Sequence, residues 1–167
     1  VLKSAMPISQ TAENELLKFI QAEAGHDKLL SRALHGLGTE PASVPVIHSI
    51  RALMEIFRCA GERNFLGFSM IVDIFERSAY RDEDPLATLL KSGGFEAASR
   101  QIDVHREIND AGGHENVALG FLHAMKPVSD DYALEATRLA ELATLVVHQV
   151  SVETLLHIDL ADHSMLN

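Results

Sequence analysis

Tryptophan is absent from this chain, cysteine occurs once, at Cys59, and aromatic residues make up only 5% of the sequence. A lone cysteine excludes an internal disulfide framework and suits a reducing compartment, so a cytoplasmic location is expected. Basic residues are also scarce, with 14 Lys and Arg against 24 Asp and Glu and a formal charge of −10. No basic run is long enough to follow a phosphate backbone, which argues against a nucleic-acid partner. No apolar run approaches the ~20 residues that cross a bilayer. The N-terminus lacks the basic and apolar blocks of a signal peptide, and a soluble protein without a membrane partner is expected. Missing too is any stretch that alternates apolar and polar residues long enough to argue for a sheet.

What is present is helical periodicity over 167 residues, 47% of them hydrophobic. With no shift in character along the chain, one all-α domain over 1–167 is expected, large enough for a substantial core. The chain opens on Val1 rather than Met, so N-terminal residues processed away or left out belong to that expectation. A first helix is predicted from near Thr11 to the glycines at 36 and 38, and a second over about 46–59 with Ile50, Leu53 and Phe57 inward and Gly61 ending it. A third covers about 64–80, with the seam Phe65, Ser69, Val72, Glu76 and Ala79. Asp84 and Pro85 read as N-cap and first residue of a short helix that closes at Gly93 and Gly94. Over 95–125 one face carries Ala98, Ile102, His105 and Ile108, but Gly112 and Gly113 interrupt it and predict a bend. Ser129, followed by Asp130 and Asp131, opens a last long helix through Leu160.

Polar residues stand where such helices normally place leucine. In the first helix the seam Leu16, Phe19, Glu23, His26, Leu30, Ala33, Leu37 advances by threes and fours, so Glu23 and His26 fall on the inward stripe. A carboxylate buried without compensation is neutralised or costs roughly several kcal/mol, and an inward Glu-x-x-His asks for a cation. Glu76 is the second inward acid. His105 and His114 are nine residues apart, on opposite sides of a regular helix at about 100° per residue. A break at the glycines brings them to one side. Glu23, His26, Glu76, His105, Asp110 and His114 together form an oxygen and nitrogen donor set suited to iron or manganese, with no thiolate. Taken singly, each inward His reads equally as a hydrogen-bonded core residue and each Glu as a side chain running along the surface.

The order of these residues resembles the heme-oxygenase-like diiron oxidases and oxygenases, relatives of the TenA and CADD proteins. Gln21-Ala-Glu23-Ala-Gly-His26-Asp27-Lys-Leu-Leu, then Leu66-Gly67 leading to Phe75-Glu76, then His105 to His114 carry the resemblance, which spans about 15–121. It implies a heme-oxygenase-like helical bundle that binds two iron ions without heme. Glu23 and His26 match the Glu-x-x-His version of the first ligand helix, and Glu76 matches the lone Glu of the next core helix. The family's final ligand helix carries His-x-x-x-Asp-x-x-His. Here Asn109 follows His105 at the fourth position, Asp110 at the fifth, and the second His arrives two residues late at His114. The resemblance therefore carries over to Glu23, His26, Glu76 and His105, and leaves the local ligand open between Asp110 and Asn109. The family places further helices ahead of the first ligand helix, so upstream residues or a partner chain, as in a homodimer, are expected to complete the wall of the site.

The resemblance implies O2 as co-substrate, activated at a reduced diiron centre to remove hydrogen from, or insert oxygen into, a small bound molecule in a biosynthetic pathway. Carboxylates lower the charge of a ferric pair, and imidazoles suit iron in either oxidation state. A ligand helix rebuilt around glycines is expected to order when iron binds. Phe57, Phe65, Phe68, Phe75 and Phe121 are candidates for an apolar pocket or for plain packing, and arginines 51, 58, 63, 77 and 106 for a carboxylate clamp or for ordinary surface positions. Together they favour an amino-acid-derived substrate over a fatty acid. His148, His157 and Glu153 read as helix-face residues. Cys59 lacks a neighbouring base, which argues against a TenA-like thiaminase. Ferritin-like iron handling is disfavoured because a second Glu-x-x-His is missing. The alternative of another class is a helical binding or assembly module without redox turnover.

Overall fold

In the computed structural model the described residues are 8–77, 84–112 and 116–164, and they contain helices and no strand. The all-α expectation holds. The elements are α1 (Gln10–Glu23), α2 (His26–Gly36), a 3-10 turn at Pro41–Ser43, α3 (His48–Arg63), α4 (Phe65–Glu76), α5 (Pro85–Ser92), α6 (Glu96–Gly112), α7 (Val117–Ala124) and α8 (Asp130–Ser164). None of the helices among the described residues is long and apolar enough to cross a membrane.

Local chemistry explains most boundaries. Ser9 caps α1 by accepting from Ala12 N–H, and Asp84 caps α5 by accepting from Leu86 and Ala87 N–H, with Pro85 at the first helical position. Ser129 accepts from Tyr132 N–H at the start of α8. The expected single helix over 11–38 is instead two, because Gly25 takes a left-handed φ of 101° and separates α1 from α2. The break shifts the register of the inward stripe: Leu29 is buried with His26 and Ala33, whereas Leu30 and Leu37 are exposed. Gly61 does not end the second helix. The turn comes at Asn64, whose Oδ1 accepts from Gly67 N–H at 2.9 Å while Nδ2 donates to the Tyr132 carbonyl at 3.0 Å. Asn64 supplies caps that Gly61 has no side chain to provide. The part of the third predicted helix beyond Arg77, through Tyr80, lies outside the described residues.

The chain divides into two compact units. One holds Val46–Ile71 and the chain from Lys126 onward, where α3 and the first part of α4 pack with α8. Its core is Leu53, Ile56, Ala60, Ile71 and Ala143, flanked by Phe57, Phe68 and Leu139. Each large aliphatic side chain buried there contributes about 1.5–3 kcal/mol. Gly67 makes the approach close: a Cβ on it would stand 3.3 Å from Ala136 Cα and 3.0 Å from Leu139 Cδ1. Glu153 of α8 caps the start of α3, accepting from Ser49 Oγ at 2.8 Å and Ser49 N–H at 3.2 Å. These bonds from Ser49, the hydroxyl first, hold the Glu153 carboxyl below its ordinary value.

The other unit holds Ile8–Pro45 and Val72–Met125. Here α2 and α5 pack on α6, and α1 packs on α7. Its core is built from small residues, Ala33, Ala87 and Ala98, with Ile102 and Leu90. Buried Ser99 donates to the Ala87 carbonyl at 2.9 Å, so the hydroxyl inside the α5–α6 contact is satisfied. Every candidate metal ligand belongs to this unit's share of the chain.

Candidate metal centre

The break at Gly25 places Glu23 at the last position of α1 and His26 at the first of α2. Across it, Glu23 Oε2 stands 3.0 Å from His26 Nδ1, and the His26 ring is buried, 7% exposed. The Nδ1 contact to the carboxylate leaves Nε2, an atom shielded from solvent, on the far side of the ring. This is the arrangement by which a carboxylate fixes the tautomer and direction of a metal-ligating imidazole. The second oxygen of Glu23, Oε1, is shielded as well.

His105 approaches from α6. Its ring lies edge-on to that of His26, with centroids 4.8 Å apart and planes at 72°. The packing of α2 on α6 explains the meeting. At one end a Cβ on Gly36 would come within 3.1 Å of Ala98 N, in the middle Ala33 and Ile102 share a core cluster, and at the other end the two imidazoles face one another. The helices therefore run antiparallel at close range, with Gly36 and Ala98 setting their separation.

Further along α6, Asn109 and Asp110 separate. Helix continues through both to Gly112, so Asn109, one turn beyond His105, shares its face, while Asp110 is rotated away and exposed. Asn109 Oδ1 is buried with no hydrogen-bond partner among the described residues. Of the two positions the sequence left open, Asn109 is the one that points its oxygen inward beside His105. Glu76 is half-buried at the last position of α4. His114 lies outside the described residues, and with it the predicted bend at the glycines. Among the described residues no three His, Cys, Asp or Glu side chains are gathered closely enough to hold an ion between them. In donor type the set of a carboxylate, two imidazoles and an amide oxygen fits iron or manganese and disfavours a soft thiophilic ion.

A cavity of about 240 Å³ lies between α1, the end of α6 and α7, within the same unit. Its lining includes Glu15, Lys18, Phe19, Gly112, Gly120 and Phe121. Phe19 and Phe121 meet edge to face with centroids 5.9 Å apart. Of the five phenylalanines expected at a pocket, only Phe121 lines this cavity. Phe57, Phe65 and Phe68 stack among themselves in the other unit, and Phe75 is exposed. The arginines are similarly sorted. Arg58 is held between Glu55 and Glu62, Arg77 pairs with Asp73, Arg51 donates to the Val46 carbonyl and Arg63 is exposed. Arg106 follows His105 in the chain, stands 4.0 Å from Asp103, and its Nε is shielded from solvent. His148 is exposed, and Cys59 is half-buried and unbridged. The His157 side chain lies outside the described residues.

The reading of the sequence missed Glu15, Lys18 and Gly120. The signal was there for Glu15, since Glu15, Phe19 and Glu23 follow one another at steps of four and so lie on one face of α1. Comparison of the chain with protein-family models, curated proteins and solved structures gives no match.

Proposed function

We propose that this domain is a nonheme diiron oxidase or oxygenase that uses O2 to oxidise or cleave a C–N or C–C bond of a small, amino-acid-derived substrate in a biosynthetic pathway. The observation that supports this most directly is the buried His26, directed by Glu23 on one side and faced by His105 on the other. Two imidazoles and a carboxylate brought together in a helical domain make a nitrogen and oxygen donor set of the kind that suits iron or manganese. Glu23, His26, Glu76, His105 and His114 would hold the iron ions, with Asn109 or Asp110 as the remaining oxygen donor. The irons, when bound, supply the electrons and the Lewis acidity for O2 activation.

The protein's own part is positional. Glu23 holds the proton on His26 Nδ1, which keeps Nε2 basic and fixes the plane of the ring. The tight α2–α6 contact buries the His26 ring and sets the half-buried His105 edge-on to it.

Anaerobic titration of the protein with Fe(II) tests the proposal. The expected result is about two irons per chain, an absorption transient on exposure to O2, and loss of iron uptake in His26→Ala and His105→Ala. Anomalous scattering at the iron edge gives the ligands directly. Absence of iron uptake by the folded protein would overturn the proposal and leave a helical binding or assembly module.

A further inference from the structure

The cavity at the α1–α7 contact combines two features not used above. Its apolar wall is Phe19, backed edge to face by the fully buried Phe121. At its rim Lys18 Nζ and Glu15 Oε1 form an ion pair at 2.7 Å, the two side chains 70% and 34% exposed. An aromatic slot beside one cation and one anion matches a small zwitterion with an apolar side chain. At about 240 Å³ the space is below the roughly 300–1,000 Å³ of drug-sized pockets, and suits a single amino acid.

The ion pair is not an obstacle to such a ligand. Exposed pairs of this kind contribute ~0–1 kcal/mol, so exchanging the mutual contact for contacts to a ligand's carboxylate and ammonium costs little and leaves neither charge alone. Gly120 completes the space. A Cβ added there would meet only Glu15 Oε2, at 3.8 Å. The missing side chain is therefore what keeps this wall open.

The cavity also continues the faces that carry the candidate ligands. On α1, Phe19 precedes Glu23 by one turn. On α6, Gly112 follows Asn109 by three residues, and Asn109 follows His105 by four. A ligand against Phe19 and Gly112 thus sits on the same helical stripes as the inward donors.

We infer that the cavity between α1, the end of α6 and α7 is the substrate-recognition pocket, binding an apolar α-amino acid with Lys18 taking its carboxylate, Glu15 its ammonium, and Phe19, backed by Phe121, its side chain. The assignment as substrate pocket rests on the proposed oxidase function, whereas the binding itself does not. The test therefore uses the full chain without iron, titrated with L-phenylalanine and L-leucine by calorimetry and saturation-transfer NMR.

One site per chain is expected for at least one of the two amino acids. 3-Phenylpropionate and phenethylamine, which each lack one charge, should bind at least tenfold more weakly than L-phenylalanine. Gly120→Leu should reduce amino-acid binding at least tenfold by filling the cavity, without a fall in melting temperature. Glu15→Gln, at the rim, gives the same reading should Gly120→Leu fail to fold. Binding of neither amino acid, undiminished binding by the folded variant, or equal binding of the singly charged analogues would overturn the inference. Amino-acid binding without iron uptake would reject the oxidase alone, and iron uptake without amino-acid binding would reject this pocket alone.

Discussion

Gly25→Ala separates the observed break between α1 and α2 from the continuous helix that the seam suggests. Gly25 has φ 101° and ψ −3°, and a Cβ added there would meet nothing within 4 Å. The effect is therefore a backbone effect without a clash. An L-residue held in the left-handed region costs ~1–2 kcal/mol. Replacing Gly by Ala also narrows the unfolded ensemble, which returns ~0.4–1 kcal/mol. The net expectation is a loss of about 1 kcal/mol, a fall in Tm of roughly 2–4 °C for a chain of this size. Asparagine tolerates the left-handed region better, so Gly25→Asn should lose less than half as much. Thermal unfolding followed by circular dichroism at 222 nm measures both. A continuous helix through 24 and 25 would reverse the sign, because Ala is favoured over Gly by ~1 kcal/mol in a helix interior. A rise in Tm with increased helicity in Gly25→Ala would refute the break and restore Leu30 and Leu37 to the buried stripe.

Asn109→Ala is expected to weaken Fe(II) binding by at least the ~10–100-fold that loss of an outer partner costs, while Asp110→Ala leaves it unchanged; the reverse order in an anaerobic titration would return the ligand role to Asp110. Gly67→Ala should lose ~1–3 kcal/mol, since its methyl would press on Ala136 and Leu139, read as a lower urea midpoint at constant m-value. Glu153→Gln should lower Tm near neutral pH by weakening the cap on Ser49. Because folding depresses the Glu153 pKa, the stabilisation is present above the unfolded value of 4.5 and is lost as pH falls through the lower folded value. The Tm gap between wild type and Glu153→Gln should therefore close as pH falls below the unfolded value of 4.5; a gap that stays constant on acidification would exclude the carboxylate as its source.

Helix content and most inward positions were legible in the sequence because they depend on local periodicity. Phe65, Ser69 and Val72 of the third seam are buried, and Asp84-Pro85 and Ser129 begin helices as their chemistry predicts. What the sequence concealed depends on choices between similar local signals. Gly25 and Gly61 look equivalent in the chain, yet one breaks a helix and the other lies inside α3. The difference comes from Asn64 and Tyr132, residues 68 positions apart whose contact no local pattern encodes. The phenylalanines were misassigned for a related reason. Periodicity shows that Phe57, Phe65 and Phe68 face inward, but not that they face one another. At the candidate centre, the placement of Glu23, His26 and His105 on inward seams comes from periodicity, whereas which of Asn109 and Asp110 shares the face of His105 depends on α6 continuing unbroken past both.

The small residues between α2 and α6 account for how two polar rings are held in place. From Gly36 back to His26 is ten residues, ~15 Å of helix, and from Ala98 forward to His105 is seven, ~10 Å. The contact at Gly36 and Ala98 is tight, with Ala98 N 3.1 Å from the Cβ position, so a methyl group there would push the backbone of α6 back by a few tenths of an ångström. Larger side chains would hold the helices apart at a distance set by rotamers, whereas backbone against backbone has almost no compliance. Ala33, Ala87 and Ile102 carry the same close packing toward the rings. A metal site needs its ligands held within ~0.5 Å, and a fulcrum without flexible side chains is a physical means to that tolerance. The fewer apolar atoms this core buries per residue are the cost, offset by fixing the separation of the helices on which His26 and His105 stand.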